Sequence, residues 1–358
     1  MLNVQRFIKE KGLKQLIEEF ELTVNETDDL VQLNYNMINS PVNEITNECR
    51  GLILEKGTWR VVAKAFDRFF NFNEGKAADI DCASAKAYEK IDGSLILLYF
   101  YKGSWRVATR GSINAGGKLP TSDLHKSFAE LFWKILDVDN TESVFLKNYT
   151  YVFELASMHN RVVKTYEQPE LYLLTVVNVA NNNYPELPQQ QREAIAKQIG
   201  VKTPYAIVVE DIDKIVTEAN NLPVGDEGFV IVDKNNNRIK IKSKTYLELH
   251  KTVNNGKPNI WRLLLSGDLQ EFLEYFPAYK EDAKSYVETY NETLVLLETL
   301  WGETKDIKDR KSFALKVKDS YVSCYMFLAL KSEETPLEIF NRTDLEKKVK
   351  FFEKNIKE

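Results

Sequence analysis

The sequence predicts an α+β fold, with antiparallel sheets flanked by helices over residues 1–250 and an all-helical domain over residues 251–358. Two observations lead there. Runs rich in β-branched and aromatic residues, separated by tight-turn residues, recur from Val31 to Lys242. Beyond about residue 252 the composition shifts: from Lys257 to Glu358 the only glycines are Gly267 and Gly302, and apolar residues recur at helical spacing, as at Phe313, Val317, Tyr321, Tyr325 and Leu328.

At 358 residues, 44% hydrophobic and 28% charged, the chain has material for about two domains. No apolar run approaches the roughly 20 residues of a membrane helix, and Met-Leu-Asn-Val-Gln-Arg-Phe-Ile-Lys-Glu lacks a signal peptide's apolar core. A protein that stays where it is made, without membrane contact, is expected. Cys49, Cys82 and Cys324 are odd in number and far apart, which points to reduced thiols in a cytosol. With only His125, His159 and His250 besides, no zinc site suggests itself. The net charge of −5 argues against a general nucleic-acid binder. Locally the balance reverses: Arg238, Lys240, Lys242, Lys244 and Lys251 stand against Glu248 alone.

In chain order, residues 3–21 carry Val4, Phe7, Ile8, Leu13, Leu16, Ile17 and Phe20, which suit amphipathic helices that pack on a core. Strands are expected at Val31–Met37, Gly51–Glu55 and Trp59–Phe66, the last two joined by the turn Glu55-Lys56-Gly57-Thr58. Ser94–Tyr101 is an unbroken apolar run, hence a buried strand, returning through Tyr101-Lys102-Gly103-Ser104 along Trp105–Thr109. Thr121–Asp137 reads as a helix capped by Thr121 or Ser122. Strands follow at Tyr151–Leu155 and Leu171–Val179, and helices at Pro188–Ile199 and Asp211–Ala219. Period two in Ile239-Lys240-Ile241-Lys242 puts both lysines on one face of a strand and both isoleucines on the other. Lys347, Lys348 and Lys350 read as a solvated helix face.

The stretch Glu89-Lys90-Ile91-Asp92-Gly93-Ser94 sets a lysine at a strand edge beside an Asp-Gly bend. Lys-x-Asp-Gly is a weak signal alone. Its company is more specific: Glu154 in a strand, Glu227-Gly228 opening another, then Lys240 and Lys242. In that order the pieces resemble the covalent nucleotidyltransferases, and most closely the bacteriophage RNA ligase 1 family. Upstream, Tyr35, Arg50 and Arg68-Phe69-Phe70-Asn71-Phe72 stand in the family's order; downstream, Arg110-Gly111-Ser112-Ile113, Asn160-Arg161-Val162 and Ser243-Lys244-Thr245-Tyr246 match it. Gly111–Lys118 is not a P-loop, because Ser112 stands where the first glycine belongs and Leu119 replaces the metal-binding hydroxyl residue.

The resemblance implies a nucleotidyltransferase domain and an ATP-dependent ligation in three steps. Lys90 attacks the α-phosphate of ATP, AMP passes to an RNA 5′-phosphate, and an RNA 3′-hydroxyl displaces AMP. Tyr35, Arg50, Arg68 and Arg110 are then nucleotide contacts, the guanidiniums suited to phosphate oxygens. Two of Phe69, Phe70 and Phe72 are expected in the core, and Phe70 and Glu89 are counted with the nucleotide pocket. Lys240 and Lys242 would neutralise phosphate charge and disfavour the ammonium form of Lys90. Asp92, Glu154 and Glu227 become partners of ribose hydroxyls or of Mg²⁺ or Mn²⁺, with Glu227 the first choice for metal. Gly93 completes the motif, Tyr246 is carried over as important for activity, and Asp268 stands near a family metal position. The expected partners are ATP and single-stranded RNA ends, including a cleaved tRNA anticodon loop, with the protein a monomer. A DNA ligase, a capping guanylyltransferase or a non-catalytic RNA-binding protein on the same scaffold are the alternatives. The first two carry a β-barrel after the paired-lysine strand, where this sequence turns helical.

Overall fold

The protein is described by a computed structural model that covers residues 1–36, 39–117, 119, 127–137, 141–160, 164, 166–223, 225–246, 259–267, 269–275, 279–332 and 334–356. The chain divides into two compact units, Met1–Lys257 and Pro258–Glu358.

In the first unit, helices α1 (Asn3–Lys11) and α2 (Leu13–Phe20) lead into strands β1 (Leu22–Glu26) and β2 (Leu30–Tyr35). Helix α3 (Glu44–Glu48), strands β3 (Arg50–Glu55) and β4 (Val61–Ala63) follow, and an antiparallel sheet forms in the order β1-β2-β3-β4. Next come β5 (Phe70–Asn71), β6 (Lys86–Glu89), β7 (Ser94–Tyr101), β8 (Ser104–Thr109), helix α4 (Phe128–Ile135), β9 (Tyr149–Ala156) and β10 (Glu170–Asn178). The unit ends with α5 (Gln189–Gln198), β11 (Ala206–Val208), α6 (Ile212–Asn220), β12 (Gly228–Val232) and β13 (Arg238–Lys242). The second sheet runs β10-β9-β7-β8 and the third β11-β6-β12-β13-β5, where β5 alone pairs in parallel.

Alternation decides which face each sheet buries. Leu30, Ile53 and Val62 of the first sheet pack on Leu97, Tyr99 and Val152 of the second. The outer face of the first sheet, with Leu33, Leu52 and Leu54, is covered by Val4, Phe7, Ile8, Leu16 and Phe20 of the amphipathic helices α1 and α2. The outer face of the second, with Ile96, Leu98 and Phe153, is covered by Leu131 and Phe132 of α4 and Ala196 of α5. In the third sheet Ala87, Phe229, Ile231, Ile239 and Ile241 pack on Ile215 and Ala219 of α6. Its opposite face therefore carries Lys240 and Lys242.

The second unit contains α7 (Ile260–Ser266), α8 (Leu269–Tyr275), α9 (Lys280–Thr304), α10 (Arg310–Val317), α11 (Ser323–Ala329), α12 (Pro336–Arg342) and α13 (Leu345–Asn355). Its core is aromatic: Trp261 stacks on Phe352 at 4.2 Å, and Phe340 meets the rings of Tyr325, Phe351 and Phe352. No helix among the described residues is long and apolar enough to cross a membrane.

The structure corrects several expectations. The helix expected from Thr121 starts at Phe128, because Ser127 and Glu130 form a capping box; residues 120–126 lie outside the described set. The apolar series from Phe313 to Leu328 spans two helices, α10 and α11, and Leu328 is 52% exposed. Lys347 and Lys350 are exposed as expected, whereas Lys348 is half-buried: its Nζ donates to Asn341 O at 2.9 Å above the Phe340 ring, and burial pulls its pKa down to about 8. Strands β1 and β11 had no clear sequence signal, and the strand expected at Trp59–Phe66 narrows to β4. Asp268, the residues around the expected boundary at 250/251, and Arg161–Val163 lie outside the described residues.

Gly228 adopts φ +137°, and a Cβ there would lie 2.0 Å from the carbonyl oxygen of Ile241. Gly228→Ala is therefore expected to reduce unfolding free energy by about 3 kcal/mol. A urea denaturation midpoint equal to that of the wild type would contradict this.

Candidate active site

The register of the third sheet builds the site. Gly228 pairs with Lys242, Phe229 with Glu89, and the Lys90 N–H donates to Gly228 O at 2.9 Å, so Lys90, Gly228 and Lys242 form a row across three strands. Glu227, one residue before β12, lies between the two lysines. Its Oε2 is 2.7 Å from Lys90 Nζ and its Oε1 is 3.0 Å from Lys242 Nζ. The Glu227 side chain is 4% exposed and that of Lys90 22%, so the nucleophile candidate is the accessible member.

Glu154 projects from β9, opposite Leu95 of β7. The Asp92-Gly93 bend runs against the same strand: a Cβ on Gly93 would lie 2.5 Å from Leu155 O, so only glycine permits the approach. Burial pushes the Glu154 carboxyl up to about 8, Glu227 and Asp92 push the same way, and Lys90 and Arg50 oppose them. Asp92 is buried, accepts the Lys164 N–H at 2.7 Å and lies 3.4 Å from the Tyr246 hydroxyl. Tyr246, also buried, lies with its ring 5.3 Å from Lys242 Nζ. Asp92 and Tyr246 thus tie the lysine bend to the end of β13.

A second group of cations adjoins the first. Tyr35, buried at the end of β2, lies between Arg68 and Arg110, whose guanidinium carbons are 4.2 and 4.3 Å from its ring centre. Burial alone would raise the Tyr35 phenol, but Arg110, Arg50, Lys240 and Arg68 together lower it. Arg50 lies over Phe66 at 4.6 Å, and Lys240 Nζ is 5.2 Å from Phe69. Gly51 adopts φ +74° beside Arg110, a backbone conformation that favours glycine; a Cβ there would lie 3.5 Å from the Arg110 Cα, an ordinary contact. The Arg50 charge acts on both Tyr35 and Glu154, so the two groups form one continuous cluster. Its Nη1 is buried without a hydrogen-bond partner among the described residues. Such guanidinium donors suit phosphate oxygens.

Most residues expected at the site are therefore brought together: Lys90, Asp92, Gly93, Glu154, Glu227, Lys242 and Tyr246 in one group, Tyr35, Arg50, Arg68, Arg110 and Lys240 in the other. Two are not. Glu89 precedes Lys90 in the strand, so its side chain takes the opposite face, where Lys164 Nζ lies at 3.7 Å. Phe70 is buried beneath Arg68, at 5.2 Å; the ring that faces Arg50 and Lys240 is Phe69, joined by Phe66. Phe66 and Lys164 are the neighbours that sequence reasoning passed over. The Arg68-Phe69-Phe70 run carried a signal for the rings, but not which one faced inward.

No group of three or more His, Cys, Asp or Glu among the described residues could hold a metal ion. Both Glu227 oxygens contact lysines. This donor set does not fit a resident metal. A divalent ion would enter with the phosphates, as Mg²⁺ commonly does through one or two carboxylates plus substrate oxygens.

A sequence model of the RNA ligase family matches residues 48–246, more than half of the chain. The chain belongs to the bacteriophage RNA ligase 1 family. Among its relatives is a protein of Autographa californica nuclear polyhedrosis virus named as a bifunctional polynucleotide kinase/RNA ligase. That protein is 36% identical over 319 residues, which are 81% of this chain and 44% of the viral protein. This family member therefore spans less than half the length of that relative. The RNA ligase of Rhodothermus phage RM378 is 27% identical over 81% of this chain and 82% of its own. An archaeal ATP-dependent RNA ligase shares the fold, with a TM-score of 0.51 over 89% of each chain at 14% identity.

The raised Glu154 carboxyl has a consequence for stability. Between its ordinary 4.5 and about 8, the folded state keeps a proton that the unfolded chain releases, so this group's contribution is complete below pH 4.5 and is lost as pH rises toward 8. Melting temperatures of wild type and Glu154→Gln, compared from pH 5 to 8.5, should diverge progressively to the disadvantage of the wild type. A pH-independent difference would refute the assignment.

Proposed function

We propose that the chain is an ATP-dependent RNA ligase that joins 3′-hydroxyl and 5′-phosphate ends through a lysyl-AMP intermediate on Lys90. The observation that carries this reading is the Glu227 carboxylate shared by Lys90 and Lys242, set beside the Arg50, Arg68, Arg110 and Lys240 cations. Family membership supports the reaction class.

In the first step Lys90 Nζ, having given up a proton, forms a bond to the α-phosphorus while the P–O bond to the β-phosphate breaks and pyrophosphate leaves. Glu227, 2.7 Å away, is the group within reach of that proton. Lys240, Lys242 and Arg50 meet the charge on the phosphates. In the second step an oxygen of the RNA 5′-phosphate attacks the same phosphorus, the P–N bond breaks, and the amine takes a proton back. In the third step the 3′-hydroxyl oxygen attacks the RNA 5′-phosphorus, loses its proton, and AMP departs. Such transfers need positioning and charge compensation more than proton relays, which suits a site of cations and carboxylates. Mg²⁺ or Mn²⁺ enters as part of the metal–ATP substrate. Glu154, holding its proton near neutral pH, is suited to hydrogen-bond a ribose hydroxyl. Asp92 and Tyr246 act as positioning residues behind Lys90 and Lys242. A monomer acting on single-stranded or tRNA-loop breaks is the substrate-level form of the same proposal.

Incubation with α-labelled ATP should give a protein-bound AMP that is labile to acid and stable to base. Lys90→Ala is expected to lower the label at least about 10³-fold, and Lys242→Ala about 10²-fold. Label from GTP in place of ATP would favour a capping enzyme, and absence of label from both a binding protein.

A further inference from the structure

Arg238, Lys240 and Lys242 occupy alternate positions of β13 and so lie along one face. Lys242 and Lys240 belong to the cluster above. At Arg238 a cavity of about 370 Å³ opens, near the low end of the range for small-molecule sites. Arg68, Phe69 and Phe70 line it together with Glu44 and Asn47 of α3, the Arg68 N–H donating to Asn47 O at 2.8 Å. The lining is electrically balanced, with Glu44, Glu48 and Asp67 against Arg68, Lys76 and Arg238. A balanced lining rich in side-chain amides does not select a bare phosphate; it suits a base and a ribose.

Several of these groups are already engaged. Glu48 accepts the N–H groups of Asn3 and Val4, and Arg238 pairs with Glu186. Two acceptors are open to a ligand: the Asn47 Oδ1, buried without a hydrogen-bond partner among the described residues, and the exposed Glu44 carboxylate, whose Oε2 takes one long contact from Asn3 Nδ2 at 3.4 Å.

In-line displacement says what lies there. On the ligase reading pyrophosphate leaves the α-phosphorus on the side opposite Lys90, and the Arg50, Arg68 and Lys240 cations are the groups suited to meet it. In the next step Lys90 is itself the leaving group, so the RNA 5′-phosphate must enter from the side that pyrophosphate vacated. Its own nucleoside then falls one ester linkage further out, beyond Arg68. We propose that this cavity receives the 5′-terminal nucleoside of the RNA strand to which AMP is transferred, with Asn47 and Glu44 accepting hydrogen bonds from its base. The assignment rests on the RNA ligase reading and names a substrate site within it.

The test uses the full chain, labelled first on lysine with ATP and then offered a 5′-phosphorylated RNA whose first nucleoside is either intact or abasic. Wild-type protein should transfer AMP to the abasic strand about tenfold less efficiently in kcat/KM. Glu44→Ala/Asn47→Ala should take label from ATP as the wild type does, yet lose about the same factor on the intact strand and no longer distinguish the two strands. Equal transfer by the wild type to both strands would overturn the assignment, as would discrimination that survives in the double variant. If the wild type takes no label from ATP, the ligase reading itself falls and the pocket assignment with it.

Discussion

The site depends on one carboxylate held between two ammonium groups. Glu227 is nearly inaccessible, and a charge so placed must be paired, because removing it from water costs several kcal/mol. Lys90 and Lys242 supply the pairing from opposite sides, at 2.7 and 3.0 Å. Two cations on one anion leave a surplus positive charge where the proposed α-phosphate would sit. The arrangement exists only in one register of β6, β12 and β13. A slip of one residue would drive the β13 lysines into the core beside α6 and turn Ile239 and Ile241 toward the cluster. The isoleucines therefore act on the chemistry from the far side of the sheet. Gly228 permits the approach of the strands that carry these groups.

The neighbouring cations are held differently. Arg68 and Arg110 face Tyr35, and Arg50 and Arg238 face Phe66, so aromatic rings keep like charges in place near one another. These charges oppose the chain's net −5, which makes the cluster a local inversion of the overall field and a focus for anions. The buried Arg50 Nη1, without a hydrogen-bond partner among the described residues, shows the same thing at atomic scale: a donor oriented in advance of its acceptor.

Much of this was legible in the sequence. The alternation in Arg238–Lys242 put Lys240 and Lys242 on one face together, and the order of Lys90, Glu154 and Glu227 along the chain, matched to the family, brought the other three in. What failed had too little context to phase. β5 has only two residues, and nothing in Phe69-Phe70 says which ring points to the cations; the parallel pairing of Phe70 with Ile239 decides it. Glu89 was counted with the nucleotide pocket, although a residue next to Lys90 in a strand takes the opposite face. Lys348 was read from its lysine neighbours, but its environment is set by Phe340 and the Asn341 carbonyl of the preceding helix, α12. The apolar series after Phe313 keeps helical spacing across a break between helices, because each helix turns its own face to a shared aromatic core. β1 and β11 lie at sheet edges, where a short strand needs few of the residues that announce one.

The contacts of Glu227 also link substrate binding to the nucleophile. In this structure each of its oxygens contacts a lysine, and among the described residues no carboxylate cluster stands ready for a metal. On the ligase reading, a triphosphate entering with its cation offers Lys242, Lys240 and Arg50 an anion of higher charge than a single carboxylate. As Lys242 turns to the phosphates, Glu227 keeps Lys90 alone, and the proton between them is the one it can accept. The event that fills the cation cluster is then the event that readies the amine. A lysine exposed elsewhere on the surface, ammonium or not, would have neither the partner nor the signal.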